Sequence, residues 1–235
     1  MKFKLALVTF LITSLFTYGQ FDRFDALLKT NVSDKGVVNY EGIISQKEDL
    51  QSYISYLEIT NPDKNWSKDA VKSFWINAYN AYTIKLIIDN YPLKSILNIT
   101  DSGKDAWHQK IAKVGGNIYT LNDIEHDILR KDFSDPRIHV GVNCASYSCP
   151  PLPNYAFNEK NVDAGLEKLM RSFVNDSNRN IITSKKVTIS KIFDWYKKDF
   201  TKKGSLISYI QRYSNVELSK KAKVKYMDYN WTLNE

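Results

Sequence analysis

Ser67-Lys-Asp-Ala-Val-Lys-Ser-Phe-Trp-Ile-Asn-Ala-Tyr-Asn-Ala-Tyr-Thr-Ile-Lys-Leu-Ile-Ile-Asp-Asn90 decides the architecture. Ser67 is an N-cap residue, its hydroxyl placed to accept from the first unpaired backbone N–H groups. From Ala70 onward the segment is apolar almost all round, with Phe74, Trp75, Ile76, Tyr79, Tyr82, Ile84, Leu86 and Ile87. A helix of that kind is buried centrally. Pro92 lies just past its end. Ser73, Asn77 and Asn80 fall at i, i+4 and i+7 and make one polar stripe on this rod. Buried amides need partners. Either the asparagines tie down loop backbone, or they line a site.

Around this rod the chain alternates between elements. Phe21–Leu28 reads as a short helix and Gly36–Tyr40 as an extended piece. Leu50, Tyr53, Ile54 and Leu57 recur at helical spacing, which predicts an amphipathic helix over 42–59. Lys110–Thr120 alternates about Gly115-Gly116, a β-hairpin signal. Thr120 with Asp123 is a variant capping box and starts a helix through about Lys131. Arg137–Asn143 alternates and is expected as a strand. Val162–Val174 reads as a helix, Lys186–Ser190 as a strand, Ile192–Phe200 as a short aromatic helix, and a further helix follows Ser205 to Tyr213. The last segment, Val224–Trp231, reads as extended. No Pro/Gly/Ser-rich linker divides the chain. The fold class is α+β, a helix-rich single domain over 20–235 with a small antiparallel sheet.

The first residues, Met1 to Gly19, carry Lys2 and Lys4 ahead of a short apolar run. That is the layout of a secretory signal peptide, too short to span a bilayer comfortably. Cleavage near Gly19 and an exported protein without a stable membrane anchor are the expectation. Loss of Lys2 and Lys4 takes the formal charge from +7 to +5. That excess suits contact with anionic surfaces such as cell-wall polymers and gives no sign of nucleic-acid binding. Oligomeric state is not written in the pattern.

The chemistry gathers in Asp135-Pro-Arg-Ile-His-Val-Gly-Val-Asn-Cys-Ala-Ser-Tyr-Ser-Cys-Pro-Pro-Leu152, which holds both cysteines and one of three histidines. As a strand, it would put Arg137, His139, Gly141 and Asn143 on one face. Cys144 would then stand at the strand end, where a nearby imidazole could activate it as thiolate. Cys144 and Cys149 could equally close a small disulfide, which export favours. That loop would be short, so its entropic gain would fall below the ~3 kcal/mol of a 15-residue loop. Cysteine and histidine also ligate zinc, but the spacing matches no zinc signature. No metal and no cofactor are expected, and phosphate-loop and Gly-x-Ser-x-Gly signatures are absent.

On the helix at 121–131, Leu121, Ile124, Ile128 and Leu129 define a buried face that contains Glu125, with His126 at its flank. A carboxylate on a buried stripe needs a partner. Glu125 is either half of a structural ion pair, with an imidazole or Arg137, or the group that orients a catalytic histidine. His108, in Ala-Trp-His-Gln, has no comparable context.

Phe74-Trp-Ile-Asn-Ala-Tyr-Asn-Ala81, Leu121-Asn-Asp-Ile-Glu-His126, Asp135-Pro-Arg-Ile-His139, Asn143-Cys-Ala-Ser146 and Ser148-Cys-Pro-Pro-Leu152 resemble the domain of unknown function 547 family. The resemblance runs from about Trp66 to Phe173. The flanking Lys191–Phe200 and Tyr229-Asn-Trp231 are similar to the exported bacterial members. The resemblance implies a thiol-hydrolase-like domain, loosely similar to papain and transglutaminase folds. It also implies that Asn77, Asn80, Glu125, His126, His139, Cys144 and Cys149 meet in one place. The functional expectation is a cysteine hydrolase or acyl transferase acting on peptide or amide bonds. In it Cys144 attacks, His126 or His139 takes the proton and Glu125 orients the imidazole. Asn77, Asn80 or backbone N–H groups steady the oxyanion, with Asn143 and Arg137 as further substrate contacts. The alternative is a non-catalytic envelope module that binds a peptide or glycan, with Cys144–Cys149 closed.

Overall fold

The computed structural model describes residues 20–235, so the signal-peptide expectation lies outside the described residues. The order of elements follows the sequence pattern closely. Helices α1 (residues 20–31), α2 (Tyr40–Ser45) and α3 (Lys47–Ile59) lead to the central rod α4 (Lys68–Asp89). Two small antiparallel pairs follow, β1 (Thr100–Asp101) with β2 (Lys104–Asp105), and β3 (Ala112–Val114) with β4 (Asn117–Tyr119). A π-helical stretch, Asp123–Leu129, runs into α5 (Arg130–Phe133). After the cysteine loop come α6 (Val162–Val174), β5 (Ile181–Ile182) and β6 (Lys186–Ile189). The chain finishes with α7 (Ile192–Trp195), α8 (Lys197–Phe200), α9 (Leu206–Gln211) and β7 (Lys223–Tyr226). β6 pairs antiparallel with β5 and parallel with β7, so the third sheet is mixed.

Local chemistry accounts for these boundaries. Ser67 Oγ accepts from Ala70 N–H and starts α4, as its N-cap position predicts. Fifteen of its 22 residues are buried, which makes it the axis of the larger core. The hairpin turn at Gly115 and Gly116 has φ of +56° and +80°, the left-handed pair that a type I′ turn requires. Thr120 and Asp123 exchange reciprocal bonds, Thr120 N–H to Oδ2 at 2.8 Å and Asp123 N–H to Oγ1 at 2.9 Å. The single helix expected over 42–59 is instead two. Asn39 caps Gly42 N–H to begin α2, and Gln46, whose side chain accepts from Asn31, breaks it before α3.

Two apolar cores result. The larger packs α1–α4 with the hairpin and the π-helical stretch. The smaller packs the end of α6 with β6, α7, α8 and α9. Helix α6 bridges them. Val162 and Leu166 enter the first core, while Met170, Phe173 and Val174 enter the second. Each such fully buried side chain contributes about 1.5–3 kcal/mol of transfer free energy.

The expected strand Arg137–Asn143 is not a strand. Pro136–Val140 is a 3-10 helix, and residues 141–143 turn. Asp135 caps it by accepting from Arg137 N–H at 3.0 Å. Pro136 at its first position supplies a helical φ. The alternation that suggested a strand has another cause. Ile138 and Val142 feed the larger core and Val140 the smaller, so the segment threads between two cores. Gly141 fits there because a Cβ would meet Leu166 Cδ2 at 2.7 Å.

Candidate active site

The loop after this 3-10 helix is pinned by amides. Asn80 donates to Gly141 C=O at 2.8 Å and accepts from Asn143 N–H at 2.9 Å. Asn143 donates to Pro150 C=O and accepts from Ala145 N–H, each at 2.8 Å. Asn77 does the same for Phe157, donating to its C=O and accepting from its N–H. So Asn77, Asn80 and Asn143 spend their amides on backbone, the tethering role that the stripe on α4 allowed. Arg179 donates to Cys149 C=O and Tyr147 C=O. The C-terminal segment straps the loop from outside. Thr232 C=O accepts from Tyr147 N–H at 2.7 Å, and Ser148 Oγ accepts from Asn230 N–H at 2.9 Å.

Cys144 sits inside this clamp. The next residue, Ala145, holds a left-handed φ of +57°, strained for a side chain with a Cβ. Such strain collects where function demands a bend. Cys144 and Cys149 are free thiols here. Cys144 Sγ lies 3.1 Å from Ser146 Oγ and 3.4 Å from Tyr229 Oη. Its own N–H donates to Cys149 Sγ at 3.1 Å. The Cys149 thiol, then the Ser146 and Tyr229 hydroxyls, hydrogen-bond to the Cys144 sulfur and bring its pKa down to about 7, against the opposing effect of burial. Burial raises Cys149 well above the ordinary range, with the neighbouring Cys144 adding to it. Tyr229 is likewise raised by burial and by Cys144, so it keeps its proton for donation.

Across the pocket stands an imidazole cluster. His139 is 2% exposed, and its ring stacks on Tyr196 at 3.8 Å. Nε2 faces Asp199 Oδ2 at 2.9 Å. Nδ1 is buried with no hydrogen-bond partner among the described residues; Glu125 Oε1 is 3.7 Å away. Asp199 also accepts from Arg130 Nε at 2.7 Å. Burial alone would raise Asp199, but the bonds from His139 and Arg130 hold it well below the carboxylate range. Glu125, 5% exposed, follows the same logic. Burial raises it, while His139 and Tyr196 outweigh that and lower it.

Of the residues singled out from sequence, Glu125, His139, Cys144 and Cys149 line one pocket of about 200 Å³. His126 stands outside that lining, its Nδ1 2.5 Å from Arg130 Nη1. Burial, then the Arg130 charge, depresses its pKa. Arg137 also lies elsewhere. It takes both oxygens of Asp135 and reaches Asp163 and Glu167, locking the 3-10 helix to α6. His108 is exposed beside Asp105. Residues that the sequence reading passed over complete the site, namely Asp199, Tyr196, Tyr229 and Ser146. Lys197-Lys-Asp-Phe200 gives Asp199 no local distinction from a solvated helix charge. Only the turn that seats α8 against His139 reveals it. Among the described residues no group of three or more His, Cys, Asp or Glu could hold a metal ion. Among the described residues no helix is long and apolar enough to cross a membrane.

A family model described as "Protein of unknown function, DUF547" matches residues 64–174. No curated protein and no solved structure matches the chain.

Proposed function

The chain belongs to the DUF547 family through residues 64–174, and we propose that it is a cysteine-dependent hydrolase or acyl transferase acting on peptide or cell-envelope amides. One observation carries the reading. A thiol with its pKa brought down to about 7 and a histidine with one unpartnered ring nitrogen line the same pocket, and a carboxylate holds the other nitrogen. That is the nucleophile, base and orienter arrangement of covalent catalysis, recognised by roles and not by chain order.

In the proposed reaction the Cys144 thiol gives its proton to His139 Nδ1, and the thiolate attacks the carbonyl carbon. A C–S bond forms and the carbonyl electron pair moves to oxygen. Tyr229 Oη, still protonated, donates to that oxygen. The intermediate collapses, the C–N bond breaks, and the leaving amine takes a proton from His139. Water, or an acceptor amine, then attacks the thioester, giving its proton back to His139 and releasing the Cys144 thiolate. Asp199, accepting at Nε2, leaves Nδ1 as the nitrogen that moves protons. Glu125, 3.7 Å from Nδ1, adds a buried negative charge beside it. Cys144 and His139 are not directly hydrogen-bonded here, as is common before substrate draws catalytic groups together.

Alkylation tests the reading. In mature protein handled without reductant, iodoacetamide should modify Cys144 with a rate that rises through a midpoint at about pH 7. Cys144→Ser should abolish amide turnover. If Cys144 reacts only after reduction, and the intact mass lies about 2 Da below the dithiol value, the thiol reading fails. A binding module with Cys144–Cys149 closed then replaces it.

A further inference from the structure

Three of the five tryptophans in the chain gather at the Cys144 pocket from separate parts of the sequence. Trp107 comes from the 3-10 turn Ala106–His108, Trp195 from α7, and Trp231 from the C-terminal segment. Trp195 and Trp231 stack with ring centres 5.8 Å apart and planes 24° from parallel. Tyr229 joins both, 4.8 Å from Trp195 and 4.5 Å from Trp231. Trp195 is nonetheless 47% exposed. An indole left in water beside a pocket is apolar area awaiting cover, and aromatic rings are what cover it with most energy per contact.

Size and charge narrow the occupant. A pocket of about 200 Å³ lies below the ~300–1,000 Å³ usual for whole small-molecule ligands, so it takes one side-chain-sized group. Its lining holds one carboxylate, Glu125, and one imidazole, His139, with no lysine or arginine. An acidic group would meet the Glu125 carboxylate without a cation. A sugar ring would need partners for its hydroxyls. Tyr229 Oη is already engaged with Ser146 and Cys144, and the Glu125 carboxylate bonds Tyr196 and lies 3.7 Å from His139 Nδ1.

We propose that the Cys144 pocket selects acyl groups bearing a flat, uncharged aromatic side chain next to the reacting carbonyl, seated against Trp195 and Trp231. The inference rests on the thiol reading above and names its substrate class. The test uses a set of peptide vinyl sulfones that differ only in one side chain, Phe, Leu, Lys or Glu. The Cys144 thiolate adds to the vinyl carbon, a C–S bond forms, and the adjacent carbon takes a proton. Labelling rates are read by intact mass, with iodoacetamide as a measure of bare thiol reactivity.

The Phe probe should label faster than Leu by about 3- to 10-fold, with Lys slower than Leu and Glu slowest. Trp195→Ala should bring the Phe-to-Leu ratio toward one, and Trp195→Phe should keep it. Equal rates for Phe and Glu would overturn the proposal, as would a ratio indifferent to Trp195→Ala. Protection of Cys144 by chito-oligosaccharide without Phe preference would overturn it in favour of a glycan. If iodoacetamide itself leaves Cys144 untouched in unreduced protein, it is the thiol reading that has failed.

Discussion

The two walls of the pocket are built from different materials. The cysteine wall, residues 143–151, is held mainly by neutral amides, backbone pairs and hydroxyls, with Asn143 as its hub, the C-terminal strap outside and Arg179 as a charged tether to two of its carbonyls. The histidine wall is held by charge, with Glu125, Asp199 and Arg130 arrayed about one imidazole. Neutral tethers keep their geometry as pH changes. A charged cluster keeps its geometry only while its carboxylates are ionised. The contrast teaches that the thiol is placed by the fold, whereas the imidazole across from it is placed by electrostatics.

The largest expected effect falls on the histidine wall. His139→Gln keeps a donor for Asp199 and removes the imidazole proposed as base. Amide turnover should drop by about 10²–10⁴-fold, and steady-state kinetics with the unfolding midpoint as control would check it. A variant that retains turnover would transfer the base role away from His139. Next is the cysteine wall. Asn143→Ala removes bonds to Pro150, Ala145 and Asn234 in a buried place. A loss of about 2–4 kcal/mol in urea unfolding follows from net bond worth plus groups left unsatisfied. A cost near zero would mean that the loop holds its shape by other means.

A smaller effect separates the walls by pH. Glu125 is lowered from its ordinary value of 4.5. A carboxylate lowered on folding binds fewer protons in the native state, so its stabilisation is complete above pH 4.5 and is lost as pH falls through the depressed native value. Glu125→Gln should cost about 1–3 kcal/mol at neutral pH and flatten the acid side of the stability curve. Melting temperatures from pH 7 to pH 3 would read both. The Asn143→Ala curve should instead run parallel to that of the parent. The smallest change is Tyr229→Phe. It removes one hydroxyl from the thiolate, so the alkylation midpoint should move up from about 7 by about one to two pH units, a single bond to a charged group being worth ~1.5–3 kcal/mol at ~1.4 kcal/mol per unit. A midpoint that moved down would mean that Tyr229 does not donate to Cys144.

The sequence was legible where one local rule acts alone. The cap at Ser67, the glycine turn at Gly115-Gly116 and the Thr120–Asp123 box each rest on residues a few positions apart. The burial of Glu125 was also readable, because a carboxylate inside an apolar stripe stands out whatever surrounds it. What could not be read depends on distant packing. The 3-10 helix at Pro136–Val140 imitates a strand because two cores sit on either side of it. Asp199 and Tyr229 are ordinary residues in their own segments, and only the meeting of α8 and the C-terminal segment with His139 and Cys144 gives them roles. The asparagines of α4 show the middle case. Their need for partners was visible, but not that the partners would be the backbone of Phe157, Gly141 and Asn143.

The gathering of Trp107, Trp195 and Trp231 beside Cys144 also equips the protein with an internal optical gauge. Trp66 and Trp75 pack against Phe74 in the larger core and supply a steady background. The other three indoles line the same pocket as the thiol, so charging the sulfur or filling the pocket should alter their emission without any attached label. Occupancy can therefore be followed in native protein by its own light.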